Sequence, residues 1–88
     1  MHEYIYTINI NGMRCGMCES HINDAIRRNF KVKKVTSSHL KNKTVIISYE
    51  PIVQERIKEV IDATGYYFID ISVETREHKN LFQKIFKK

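Results

Sequence analysis

Two thiols separated by two residues, Cys15 and Cys18 in Gly12-Met13-Arg14-Cys15-Gly16-Met17-Cys18, are the only cysteines of the chain and the side chains best suited to chemistry. The spacing lets one loop aim both sulfurs at a single small target, and a helical apolar pattern begins as the motif ends. Unpaired backbone N–H groups at a helix N-terminus favour a thiolate, so its pKa falls below the ~8.5 of a free cysteine. Two sulfurs that ionise near neutral pH suit a soft metal ion. Thiol–disulfide exchange is the rival chemistry, since it also uses Cys-x-x-Cys between a strand and a helix. Against that rival, no further strand–helix elements or downstream proline suited to such a redox site are found, and Pro51, the only proline, stands before a helix.

The elements that must position the thiols follow from periodicity. Residues 4–10 place Tyr4, Tyr6, Ile8 and Ile10 on one side and Thr7 and Asn9 on the other, the alternation of a half-buried strand. Asn11-Gly12 resembles a hairpin turn, but no second strand follows, so it reads as a loop. From Cys18 to Phe30, Ile22, Ala25, Ile26 and Phe30 recur at helical spacing, with Glu19, Asn23, Asp24 and Arg27 on the other face. Two β-prone stretches, 35–40 and 44–49, flank the polar connection Lys41-Asn42-Lys43; in the second, Val45, Ile47 and Tyr49 share a face. After Pro51, the spacing of Ile57, Val60 and Ile61 predicts a helix to Thr64, capped by Gly65. A last strand over 67–73 is expected to align Tyr67, Ile69, Ile71 and Val73.

This order is β-α-β-β-α-β. It predicts a ferredoxin-like α/β sandwich, a four-stranded antiparallel sheet with two helices on one face. The chain, 88 residues long, has room for one such domain, expected over 1–74, followed by a basic amphipathic tail, 75–88. In that tail Leu81, Phe82, Ile85 and Phe86 fall on one helical stripe among lysines, which reads first as a short helix packed on the domain, then as a weak contact of 76–88 with an anionic membrane surface or an acidic partner, and last as a disordered segment.

Charge narrows the functional classes. The formal net charge is +5, of which residues 76–88 carry +4 and the other residues +1, so the overall basicity does not support nucleic-acid binding. Arg27, Arg28, Lys31, Lys33 and Lys34 cluster where the first helix should end and read as a solvated helix terminus, with a docking patch as the alternative. No apolar run approaches the ~18 residues of a membrane span. The opening Met1-His2-Glu3-Tyr4 lacks a secretory profile, so a cytoplasmic protein is expected, where paired cysteines serve metal or redox chemistry more often than structural disulfides. No nucleophile–base pair, paired-carboxylate site or phosphate-cradling loop stands out among the residues, and the chain is not expected to be an enzyme.

With Gly12-Met13-x-Cys15-x-x-Cys18 after a first strand and Thr64-Gly65-Tyr66 before the last, the sequence resembles the heavy-metal-associated domain family over roughly residues 3–74. The resemblance implies that Cys15 and Cys18 bind Cu(I) in an exposed first loop. It also implies transfer of the ion to the metal-binding domain of a copper-transporting P-type ATPase. It places Met13 inward beneath the loop and Tyr66 near the metal, shielding or tuning it. Arg14 departs from the Thr or Asp of other members; a cation there lowers thiolate pKa and supplies no ligand.

The chemistry of the ions agrees. Cu(I) favours thiolates and accepts low coordination, whereas zinc takes four ligands in structural sites. Zinc, mercury or another soft metal is the alternative cargo. His21, three residues after Cys18, reads as a surface histidine rather than a ligand; His2, His39 and His78 have no ligand spacing and read as structural or solvated. Met17 is expected to be exposed as a contact residue. A monomer is expected, with a metal-bridged dimer as its variant, because two such loops offer four sulfurs.

Overall fold

The computed structural model describes residues 2–77, with side chains described for 3–76; the amphipathic stripe of the tail and His78 lie outside the described residues. The elements are β1 (His2–Asn11), α1 (Gly16–Asn29), β2 (Lys34–Ser38), β3 (Lys43–Ser48), α2 (Gln54–Thr64) and β4 (Tyr67–Glu77). All sheet pairings are antiparallel, in the order β2-β3-β1-β4. The ferredoxin-like βαββαβ sandwich expected from the sequence is the fold observed, with both helices contributing to the core on one face of the sheet.

Isoleucine dominates that core. Ile8 and Ile10 from β1, Ile22 and Ile26 from α1, Ile46 from β3, and Ile57 and Ile61 from α2 have no exposed surface. Each such burial stabilises the fold by about 1.5–3 kcal/mol. Tyr6, Met13, Ala25, Val35 and Val60 complete the cluster. The Tyr6 hydroxyl accepts the Ile52 N–H at 2.7 Å and donates to the Ile52 carbonyl at 3.1 Å, which ties the link before α2 to β1.

Two strands depart from a simple hydropathy reading. In β3 the stripe Val45, Ile47 and Tyr49 lies on the open side of the sheet, half-buried or exposed, while Thr44, Ile46 and Ser48 face the helices. Those buried hydroxyls are tolerated because each is bonded: Thr44 Oγ1 meets Ser37 Oγ at 2.8 Å, Ser37 Oγ donates to Asn23 Oδ1, and Ser48 Oγ donates to the Glu50 carbonyl.

In β4 the expected stripe is broken. Asn9 pairs with Asp70 but Ile10 pairs with Phe68, so Ile69 is the extra residue of a β-bulge. Phe68 and Ile71 therefore pack on the core, whereas Tyr67 is 71% and Ile69 55% exposed. The strand also continues to Glu77, four residues beyond its expected end, because β1 starts early enough for His2 to pair with Glu77.

Candidate metal centre

Three elements converge on the cysteine loop. The end of β1 is held by the Ile10 N–H donating to the Asn42 carbonyl at 2.9 Å, in the connection between β2 and β3. The chain then turns at Gly12, whose φ of +101° an L side chain rarely adopts. A Cβ there would lie 3.5 Å from the rings of both Tyr66 and Tyr67, so the strain is in the backbone rather than in lack of space. Met13 then enters the core, 6% exposed, and anchors the loop from below.

The helix begins earlier than periodicity suggested. Cys15 is the N-cap of α1, extended at φ −160° and ψ −179°, and its carbonyl accepts the N–H groups of Cys18 at 3.1 Å and Glu19 at 3.3 Å. Cys18 thus falls in the first turn. No side chain caps the helix, which leaves the positive end of its dipole directed at the two thiols. Both thiols are free; Cys15 is exposed and Cys18 half-buried against the core.

Cys18 is drawn down from 9.0 to about 7, first by the Tyr66 hydroxyl donating to its sulfur, then by the backbone N–H groups of Arg14 and Cys15 and by the Cys15 thiol, against an opposing desolvation. The same contact pushes the Tyr66 phenol upward, through the Cys18 hydrogen bond first, then burial and the negative charge of the two thiolates. Tyr66 also approaches His21 Nδ1, but at 3.4 Å this is a marginal bond, and the thiolate is the stronger acceptor. Tyr66 is aimed at the loop by Gly65, which closes α2 in the left-handed conformation at φ 94°, its N–H bonded to the Asp62 carbonyl at 3.1 Å.

Arg14 and Met17 are both exposed beside the thiols, Met17 by 69%. Among the described residues no three His, Cys, Asp or Glu side chains gather in a metal-holding group. A groove of about 500 Å³ between α1 and α2 includes His21 but neither cysteine, so the thiols are not recessed within it. One pairing near the loop had no signal in the sequence. Glu19 Oε2 accepts both the backbone N–H of His39 at 2.8 Å and its ring Nδ1 at 2.7 Å, fastening the first turn of α1 to the end of β2. His39, expected to be structural or solvated, is thus held by Glu19.

The fold and the loop define a class: a ferredoxin-like domain that carries a dithiol at the start of its first helix, with Cys15 exposed and Cys18 half-buried. The chain belongs to the heavy-metal-associated domain family, whose sequence model matches residues 7–67. Among solved structures it is similar to a CopZ metallochaperone, with a TM-score of 0.67 and 21% identity over 74% of this chain and 98% of that one. A copper binding domain from HMA7, a P-type ATPase, gives 0.66 at 22% identity over 84% and 95%. Oxidized MerP from Ralstonia metallidurans CH34 gives 0.66 at 20% over 82% and 97%. At such identities the likeness to individual structures speaks to fold alone. Among curated proteins, no sequence matches the chain. Family membership supports a role in heavy-metal binding or transport; among the described residues no helix is long and apolar enough to cross a membrane.

Proposed function

We propose that the protein is a cytoplasmic Cu(I) carrier that holds one ion between Cys15 and Cys18 and passes it to the metal-binding domain of a copper-transporting P-type ATPase. The observation that carries this reading is a pair of surface thiols without a third His, Cys, Asp or Glu partner among the described residues. Two thiolates satisfy Cu(I); they leave zinc two ligands short of a structural site. The Cys18 thiol, at about 7, needs little proton work to become a ligand near neutral pH. Arg14 stands beside the thiolates as a compensating cation.

An open coordination sphere also suits transfer. An incoming thiolate bonds to the copper before Cys15 or Cys18 leaves, so the ion changes hands without being released, and with no change of oxidation state. Exposed Met17 lies where a docking domain would touch the loop. The same exposure permits two copies to share an ion through four sulfurs, a metal-bridged variant of the monomer. The protein acts here as a carrier and not as a catalyst.

The test is an anaerobic Cu(I) titration of reduced protein against a chromophoric chelator, beside Cys15→Ser/Cys18→Ser and a parallel Zn(II) series. Tight binding of one Cu(I) that needs both cysteines, with zinc much weaker, is the expected result. Preference for Zn(II) or Hg(II) would reassign the cargo. A weak copper complex, together with a reversible intramolecular disulfide at physiological potential, would replace the carrier by a thiol-redox protein, for which a low thiol pKa is equally useful.

A further inference from the structure

The sheet order leaves β2 and β4 at its edges, and the two edges differ in length. β2 has 5 residues, whereas β4 has 11, Tyr67–Glu77, paired from end to end with β1 on one side and with no strand on the other among the described residues. A long free edge presents a row of backbone N–H and C=O groups to another strand. The bulge at Ile69 interrupts that row near the cysteine loop, so its regular part begins at Asp70. From there the side chains alternate. Asp70, Ser72, Glu74 and Arg76 lie opposite Asn9, Thr7, Ile5 and Glu3 on the face away from the helices, while Ile71, Val73 and Thr75 lie opposite Ile8, Tyr6 and Tyr4 on the helix face. Residues 72–76 are all exposed, Val73 by 46%.

We propose that two copies of the chain pair through these edges, antiparallel and centred on Val73, forming one continuous sheet that leaves both cysteine loops free. Charge complementarity selects a second copy as the occupant. In that register Asp70 faces Arg76 of the second copy and Ser72 faces its Glu74, and the two-fold axis repeats both pairs. On the helix face Val73 meets Val73, and Ile71 meets Thr75. Opposite charges, a hydroxyl against a carboxylate and β-branched neighbours are cross-strand pairs that stabilise a ladder. The adjacent registers, centred on Ser72 or Glu74, set Asp70 against Glu74 or Glu74 against itself, where like charges repel. An edge with acids and bases in this order turns away unmatched strands and accepts its own copy. Asp70 Oδ1 accepts the Asn9 side-chain amide at 2.5 Å, which leaves its other carboxylate oxygen to meet the arginine. Tyr67, which pairs with Asn11 beside the cysteine loop, then stands roughly 40 Å from its counterpart at ~3.4 Å per residue, so the loops of this dimer cannot share an ion. The association is independent of the cargo proposed above and replaces the monomer expected from the sequence.

The experiment is sedimentation velocity of the full reduced chain, metal-free and with excess chelator, over a concentration series reaching ~1 mM, where weak specific complexes form. A dimer should grow with concentration and persist in Cys15→Ser/Cys18→Ser. Asp70→Arg and Arg76→Asp should each weaken self-association on the order of tenfold, because each turns both charge pairs into repulsions. An equimolar mixture of these two variants should recover the dimer, since each then meets the other with opposite charges at both pairs. General destabilisation could not produce that recovery. In the unaltered chain, amide exchange within 70–76 should slow as concentration rises, with no change at the cysteine loop. A monomer at every concentration, a dimer lost with chelator or with the cysteine substitutions, or concentration-dependent protection confined to residues outside β4 would overturn the proposal. So would failure of the mixture to recover the dimer when circular dichroism shows both variants folded. If either variant does not fold, the exchange result on the unaltered chain decides.

Discussion

The hydroxyl of Tyr66, at the turn between α2 and β4, stands within reach of the Cys18 thiolate in the first turn of α1, and its hydrogen-bonding influence is the largest of those that lower that thiol to about 7. Removing the donor leaves the thiolate with backbone N–H groups alone. In Tyr66→Phe the Cys18 pKa should rise toward 9.0, the ordinary value, and alkylation of Cys18 at neutral pH should slow severalfold. The pH profile of alkylation, followed by mass spectrometry for each cysteine, checks this. An unshifted profile for Cys18 would leave the tyrosine with a packing role only.

Linkage turns the same contact into a stability profile. A thiol whose folded pKa is depressed contributes stability that is fully present above its unfolded value of 9.0 and lost as pH falls through about 7. The reduced metal-free protein should therefore gain stability between pH 7 and 9. Tyr66 itself, raised above 10.0 on folding, works the other way only at higher pH. Urea unfolding across this range, with wild type compared to Cys18→Ser, isolates the contribution; parallel profiles for the two proteins would contradict it.

How far the sequence reached is clearest strand by strand. β1 and the helices were legible because their buried positions are apolar at the right period, as with Ile8 and Ile10 or Ile57 and Ile61. The Cys-x-x-Cys loop was legible because thiols at that spacing have few uses; in the structure Met13 is buried in the core and Tyr66 approaches Cys18. In β3 the hydropathy pattern pointed to the open face, since Thr44 and Ser48 become core residues only through hydroxyl partners distant in sequence. The bulge at Ile69 was hidden for another reason: one inserted residue changes every later facing without altering local composition. The Glu19–His39 pair was invisible because it forms only when the β2–β3 connection folds over the helix.

That pair predicts an acid sensitivity of the loop. Glu19 is held below 4.5 by the His39 backbone N–H, then by its ring. Its contribution is present above pH 4.5 and is lost as pH falls through the lower folded value. Glu19→Gln should open the first turn of α1, seen as faster amide exchange at Met17–Glu19 near neutral pH, and should flatten the acid limb of the unfolding profile. Unchanged exchange in that turn would show that the helix start holds without its tether.

Tyr6 offers a test of fold separate from site. Its hydroxyl serves both the N–H and the carbonyl of Ile52, and the ring is 2% exposed. Tyr6→Phe strands both backbone groups in a half-buried link and should cost about 1–3 kcal/mol. Ile52 precedes α2 at the end of the domain away from the thiols, so Cu(I) affinity measured by chelator competition should stay within a few fold of wild type. A large loss of affinity would mean that the link before α2 and the cysteine loop are mechanically coupled.

Gly12→Ala joins stability and site in one substitution. The new methyl meets only ordinary contacts at 3.5 Å with Tyr66 and Tyr67, so the penalty comes from φ +101°, which a Cβ disfavours by about 1–2 kcal/mol. The chain can relieve that strain only by rotating the segment between Ile10, fixed by Asn42, and Met13, fixed in the core. That rotation disturbs the approach of Tyr66 to Cys18. Apo stability in urea should fall by about 1–2 kcal/mol, and the Cys18 pKa should rise in the direction seen for Tyr66→Phe. Stability lost without any change in the thiol would place the glycine's role in the turn alone, whereas loss of both would make Gly12 the residue that sets the loop against its tyrosine.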